Sequence, residues 1–248
     1  MKEKEYQELR QAVEIPDVTD VAPVEVLFAG GVCVGTIGEF SAIVGKPKVK
    51  KTFNVIAIAA AALNGKEVAG WRVELPEGKQ KVVYIDTEQS RMHTERTRKR
   101  ICMTAGVETA DQRLRVLNLK KMSDEERLEF VPAFLSRESS IGLVILDGIR
   151  DLVEDINDNK AAHHVAQLAI KWADLYACHI VTTLHVNKSD KSPRGHLGTE
   201  ATAKAESVIM LEKEKDSDAT KVSPLEMRDV EFTPFRMTVS EDGLPVMC

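Results

Sequence analysis

Short apolar runs alternate with longer mixed or charged segments along most of the chain. Residues 40–44, 81–85, 114–119, 142–147, 179–184 and 205–211 are rich in Val, Ile and Leu, which predicts buried strands. Residues 53–63 are apolar, Ala-rich and free of Pro and Gly, favouring a helix buried on most faces. Further helices are predicted over 91–105, closed by Gly106, over 123–137, opened by a Ser-x-x-Glu capping box, and over 159–176. Strand alternating with helix, with continuously apolar strands, predicts an α/β fold: a mainly parallel twisted sheet covered by helices on both faces.

The ends of the chain read differently. Residues 1–14 suit a short polar helix, and Pro16 and Pro23 make 15–25 a linker or arm, so 1–29 is expected to precede a domain over 30–248. Residues 187–200 are polar, contain Gly195 and Gly198, and are expected to form a mobile loop. Residues 230–235 and 236–240 are expected to pair as an antiparallel hairpin around Pro234 at the sheet edge.

Ligands of such sheets bind beyond the carboxyl ends of the strands. Gly45-Lys46-Pro47-Lys48-Val49-Lys50-Lys51-Thr52 fills that position after the first core strand. The phosphate-loop motif is G-x-x-x-x-G-K followed by Ser or Thr. Gly45, Lys51 and Thr52 match it, and Lys50 replaces the second glycine. Backbone N–H groups opening into a helix N-terminus cradle anions. The segment through Phe53 is thus the expected nucleotide cradle, with Lys51 on the terminal phosphates and the Thr52 hydroxyl on Mg²⁺. A Lys-rich solvated turn is the competing reading.

Composition narrows the class. Apolar residues are 43% and charged residues 29%, as in an ordinary globular protein. The net charge of −5 supplies no global field for nucleic acid, so contact with DNA must be local. Cys33, Cys102, Cys178 and Cys248 are scattered, without metal-ligand or disulfide spacing. The N-terminus lacks an apolar signal core, and residues 55–63 are too short to span a bilayer. No membrane contact and a cytoplasmic location are expected.

Candidate chemistry gathers at strand ends. Asp147 suits a Mg²⁺ carboxylate or a turn cap. Glu88 suits a residue that orients or deprotonates water, or the N-terminal charge of a helix. His185 suits a sensor of the terminal phosphate, although a lone His is also a common surface residue. Lys188, Lys191, Arg194 and His196 can contact nucleic acid phosphates or form a solvated loop. Lys213 and Lys215 can complete a neighbouring subunit's site or belong to a solvated charge run.

The stretches FSAIVGKPKVKKTF, VVYIDTEQS, LVILDGIRDLVEDIND, HIVTTLHVNK and RGHLGTEATAKAESVIMLEKEK resemble the RecA-like P-loop ATPases, in particular RepA-type hexameric helicases and related ATPases of plasmids and mobile elements. The resemblance covers about residues 30–215. It implies ATP with Mg²⁺, Lys51 and Thr52 at the phosphates, Glu88 as the catalytic acid and Asp147 on the metal. It also implies His185 as sensor, a DNA-facing loop after it, Lys213 and Lys215 in the place of a Lys-x-Arg pair acting across a subunit interface, and a ring or filament. The function expected is a DNA-directed ATPase, a helicase or helicase-loading factor of replication or mobilisation, acting on single-stranded DNA. A nucleotide-gated binding or regulatory module with weak or no hydrolysis is the alternative, because Lys50 and Lys215 both depart from the family pattern.

Overall fold

The computed structural model describes residues 2–14, 22–187 and 192–248. In chain order the elements are α1 (Glu3–Val13), β1 (Glu25–Ala29), β2 (Val32–Thr36), β3 (Phe40–Gly45), α2 (Lys51–Asn64), β4 (Trp71–Val73), β5 (Lys81–Asp86), α3 (Arg91–Ala105), β6 (Leu114–Asn118), α4 (Asp124–Leu135), β7 (Ile141–Asp147), a 3-10 turn (Ile149–Leu152), α5 (Asn159–Leu175), β8 (His179–His185), α6 (Gly195–Lys204), β9 (Ser207–Lys213), β10 (Thr220–Met227), β11 (Phe235–Val239) and β12 (Pro245–Met247).

Nine strands form the main sheet in the order β12-β11-β10-β9-β3-β8-β7-β5-β6. β9, β3, β8, β7, β5 and β6 run parallel, and β10 to β12 add an antiparallel end. The interior strands β3 and β7 are buried along their whole length, which explains their continuous apolar sequence. One core places α2 and α3 on one face of the sheet, and a second places α4, α5 and α6 on the other. α2 is buried from Asn54 to Leu63, so its Ala-rich sequence lets it lie close to the sheet. Among the described residues no helix is long and apolar enough to cross a membrane.

The sequence reading missed three features here. β1, β2 and β4 form a small antiparallel sheet whose Leu27, Ala29, Trp71 and Val73 join the α2 core, so packed structure begins ahead of residue 30. Residues 195–200, expected as part of a loop, belong to the helix α6 (195–204), because Leu197 and Ala201, four residues apart, bury one face against the core. The C-terminal hairpin is β10 with β11, pairing Thr220 with Met237, and not a turn around Pro234. Part of the expected linker, residues 15–21, lies outside the described residues.

His179, at the start of β8, is wholly buried and held by Nδ1 to the Thr36 carbonyl at 2.8 Å. Its Nε2 has no hydrogen-bond partner. Burial brings its pKa down to about 4 from 6.5, so the neutral ring is the folded form. Because the unfolded chain binds that proton more tightly, stability is complete above pH 6.5 and falls as pH drops toward 4. The expected slope approaches about 1.4 kcal/mol per pH unit. Denaturant unfolding at pH 7 and pH 5 checks this; equal midpoints in wild type contradict it, and His179→Gln should flatten the dependence.

Candidate nucleotide site

The register of the sheet decides which residues meet. Gly45 pairs with His185 across β3 and β8, and Asp86 pairs with Asp147 across β5 and β7. The predicted loop, both acids and the histidine therefore share the carboxyl edge of the sheet. They line one cleft of about 430 Å³ with Lys48, Lys50, Lys51, Thr52, Phe53, Glu88, Asp147 and His185 on its walls.

Strand β3 ends in glycine for a steric reason. A Cβ on Gly45 would lie 2.7 Å from both the carbonyl of Leu211, its partner on the neighbouring strand β9, and Val49 Cγ2 of the following loop. Lys46, Pro47 and Lys48 are exposed, Val49 is buried, and α2 starts at Lys51 with Lys50 at its N-cap. Lys50 is left-handed (φ 62°, ψ 33°), the conformation a glycine takes without cost and other residues take at roughly 1 kcal/mol or more. Lys48 is also left-handed, at φ 67°. The backbone thus makes the turn that the motif's second glycine serves, with lysine in its place. The N–H groups of Lys51 and Thr52 have no acceptor among the described residues, and they open into the cleft mouth at the positive end of α2.

Lys51 Nζ donates to the Gly45 carbonyl at 2.9 Å and the Lys46 carbonyl at 3.1 Å, and it reaches His185 Nδ1 at 3.1 Å. A charged ammonium can only donate, so Nδ1 of the neutral ring accepts and Nε2 carries the proton. Burial lowers the Lys51 pKa to about 8 against the opposing pull of Asp147 and Glu88. Burial and the Lys51 charge together lower the His185 pKa.

Asp147 is the buried anion of the site. Tyr84 Oη donates to its Oδ2 at 2.7 Å, Thr183 Oγ1 to its Oδ1 at 2.7 Å, and Thr52 Oγ1 to Oδ2 at 3.3 Å. Burial raises its pKa while these three hydroxyls pull it back. Gly148 follows at φ 109°, and a Cβ there would strike Thr87 Oγ1 at 2.3 Å and meet Glu88 Cγ at 3.2 Å. Glu88 thus rests against the β7 turn. Burial raises its pKa first, then the charges of Asp151 and Asp147, with Lys51 opposing. Asp86, two residues earlier, caps the Glu88 and Gln89 N–H groups and accepts from Thr94.

The fit to Mg²⁺ and a triphosphate is chemical. Thr52 and Asp147 offer a hydroxyl and a carboxylate 3.3 Å apart, the hard oxygen donors that Mg²⁺ takes together with water and phosphate oxygens. No cluster of three or more His, Cys, Asp or Glu able to hold a metal occurs among the described residues, so water and phosphate oxygens would complete the coordination of a metal held here.

The other candidates are placed as follows. Lys213 ends β9 and Lys215 lies in the exposed turn beyond it. Arg194 is exposed at the N-cap of α6, and its N–H donates to the His185 carbonyl at 2.9 Å. His196 is exposed in the first turn of α6. Lys188 and Lys191 lie outside the described residues. The sequence reading missed Tyr84 and Thr183, whose polar side chains in otherwise apolar strands were a signal. It also missed His93, Arg96, Arg100 and Arg150 on the cleft wall, where Arg100 lies 4.9 Å from the centre of the Phe53 ring.

A family described as an AAA domain matches residues 30–191, more than half of the chain. The chain belongs to this AAA domain family. Its fold is RecA-like, similar to a solved "ATPase Domain" (TM-score 0.61, 14% identity, covering 85% of this chain and 84% of that one). It is also similar to "Crystal structure of the RadB recombinase" (TM-score 0.59, 15% identity, covering 89% and 92%). No curated protein matches the chain by sequence.

Removing one hydroxyl tests the buried anion. Tyr84→Phe leaves the ring packed and deletes a hydrogen bond to a carboxylate, worth about 1.5–3 kcal/mol. Denaturant unfolding should show a loss of that size; an unchanged midpoint would mean that Tyr84 does not support Asp147.

Proposed function

We propose that this AAA-family chain is an ATPase that couples hydrolysis to a DNA-contacting segment, in a ring or filament whose nucleotide sites lie between subunits. The observation that carries the reading is the convergence of Lys51, Thr52, Asp147 and Glu88 on one cleft at the carboxyl edge of a parallel sheet. Thr52 and Asp147 would hold Mg²⁺, which when bound supplies charge neutralisation at the terminal phosphates. The N–H groups of Lys51 and Thr52 bind phosphate oxygens, and the Lys51 ammonium leaves its loop carbonyls for the terminal group. Glu88, with its pKa raised by burial, is the better base for the attacking water.

His185 links the phosphate end to the DNA side. Its ring accepts from Lys51 and its carbonyl accepts from Arg194, so movement of the lysine is felt at the start of α6. Lys188, Lys191, Arg194 and His196 are the proposed contacts to single-stranded DNA. Lys213 and Lys215 are the proposed cations for the neighbouring subunit's nucleotide, with Lys as a point charge in place of a bidentate Arg. A helicase or helicase-loading role in replication or mobilisation is the activity proposed for this arrangement.

One observation favours the second reading, a nucleotide-gated module with little hydrolysis. Lys50 stands left-handed where glycine is expected, and its side chain is engaged elsewhere. Lys50→Gly discriminates: a strong rise in turnover means that the natural chain is a weakened enzyme.

ATP turnover measured with and without single-stranded DNA tests the main reading. Stimulation is expected, and turnover indifferent to DNA contradicts a motor. Glu88→Gln should lower turnover about 10²- to 10⁴-fold while ATP still binds. Unchanged turnover removes Glu88 from its role.

A further inference from the structure

Two left-handed lysines in a phosphate loop need an explanation, because such backbone persists only where its surroundings over-determine it. The surroundings here are the turn between β9 and β10. Lys50 Nζ donates to Asp218 Oδ2 at 2.7 Å and also to the Asp218 backbone carbonyl. The Lys50 side chain is only 15% exposed while that of Asp218 is 70% exposed, so the lysine reaches from the loop to a carboxylate at the surface. One residue earlier, Thr220 Oγ1 donates to the Val49 carbonyl at 3.4 Å. Val49 itself is buried against the Gly45 end of β3. The loop is thus fastened at two successive residues to the turn before β10 and to the first residue of that strand, Lys50 and Asp218 being 168 positions apart in the chain.

We propose that Lys50 and Asp218 are positioning residues that compensate for the missing glycine. Their ion pair holds the phosphate loop in its nucleotide-ready shape and joins it to the turn that follows Lys213 and carries Lys215. The proposal rests on the nucleotide-site reading above and adds what replaces glycine in this chain. A glycine reaches the left-handed conformation freely and needs no such tether. A lysine there must be held, and its own ammonium supplies the hold. Asp218 Oδ1 also faces Lys213 Nζ at 3.8 Å, so one carboxylate stands between the loop lysine and the strand-end lysine. The Lys50 hydrogen bond is the main cause of the lowered Asp218 pKa, so the carboxylate stays ionised near neutral pH. A loop held in its binding shape in advance binds more tightly, because less order is lost on binding.

The test is a double-mutant cycle on the full chain, read by calorimetric titration with ATP and Mg²⁺. Asp218→Asn should weaken ATP binding about threefold in the Lys50 background. Asp218→Glu should restore most of it, and in a Lys50→Gly background Asp218→Asn should change nothing. A merely structural role for Asp218 would move both backgrounds alike. Equal losses in the two backgrounds, or no loss in either, overturn the proposal and leave the nucleotide site standing. A wild-type chain that binds no ATP overturns both.

Discussion

The carboxylate of Asp147 is the constraint on which the site depends. A charge buried at the end of an interior strand is costly unless hydrogen-bonded, and here three hydroxyls from three different elements supply the bonds. Tyr84 comes from β5, Thr183 from β8 and Thr52 from α2. The carboxylate can be satisfied only when β5, β7 and β8 are in register and α2 is seated on the sheet. Fold and site are specified together.

The positive partner is poised against this anion. Lys51 is partly desolvated and bonded to carbonyls of its own loop and to His185, and it is the cation proposed to turn to an incoming phosphate. His185 in turn is tied through its carbonyl to the N-cap of α6. The proposed phosphate end is therefore two hydrogen bonds from the segment proposed to face DNA.

Much of this was legible in the sequence, for identifiable reasons. β3, β5, β7 and β8 are buried on both faces, so their apolar runs stand out, and the acids at the ends of β5 and β7 mark the edge where ligands bind. Helix α3 ends at Gly106 in the left-handed cap its sequence announces. Other features were hidden. Gly195 and Gly198 suggested a loop, yet Gly198 packs against Pro193 inside a helix whose buried face holds few apolar residues. Arg96 and Arg100 reach the cleft only through the packing of α3 beside α2, and the Lys50–Asp218 pair joins residues far apart in the chain. Such contacts have no local signature. The missing glycine was visible at once, whereas what replaces it needed coordinates.

A crystal structure with Mg²⁺ and a non-hydrolysable ATP analogue is the most direct measurement. The expected result is a triphosphate on the N–H groups of Lys51 and Thr52, with Lys51 Nζ moved from the Gly45 and Lys46 carbonyls to the terminal phosphate. A nucleotide bound elsewhere, or Lys51 still seated on those carbonyls beside a filled cleft, would contradict the account.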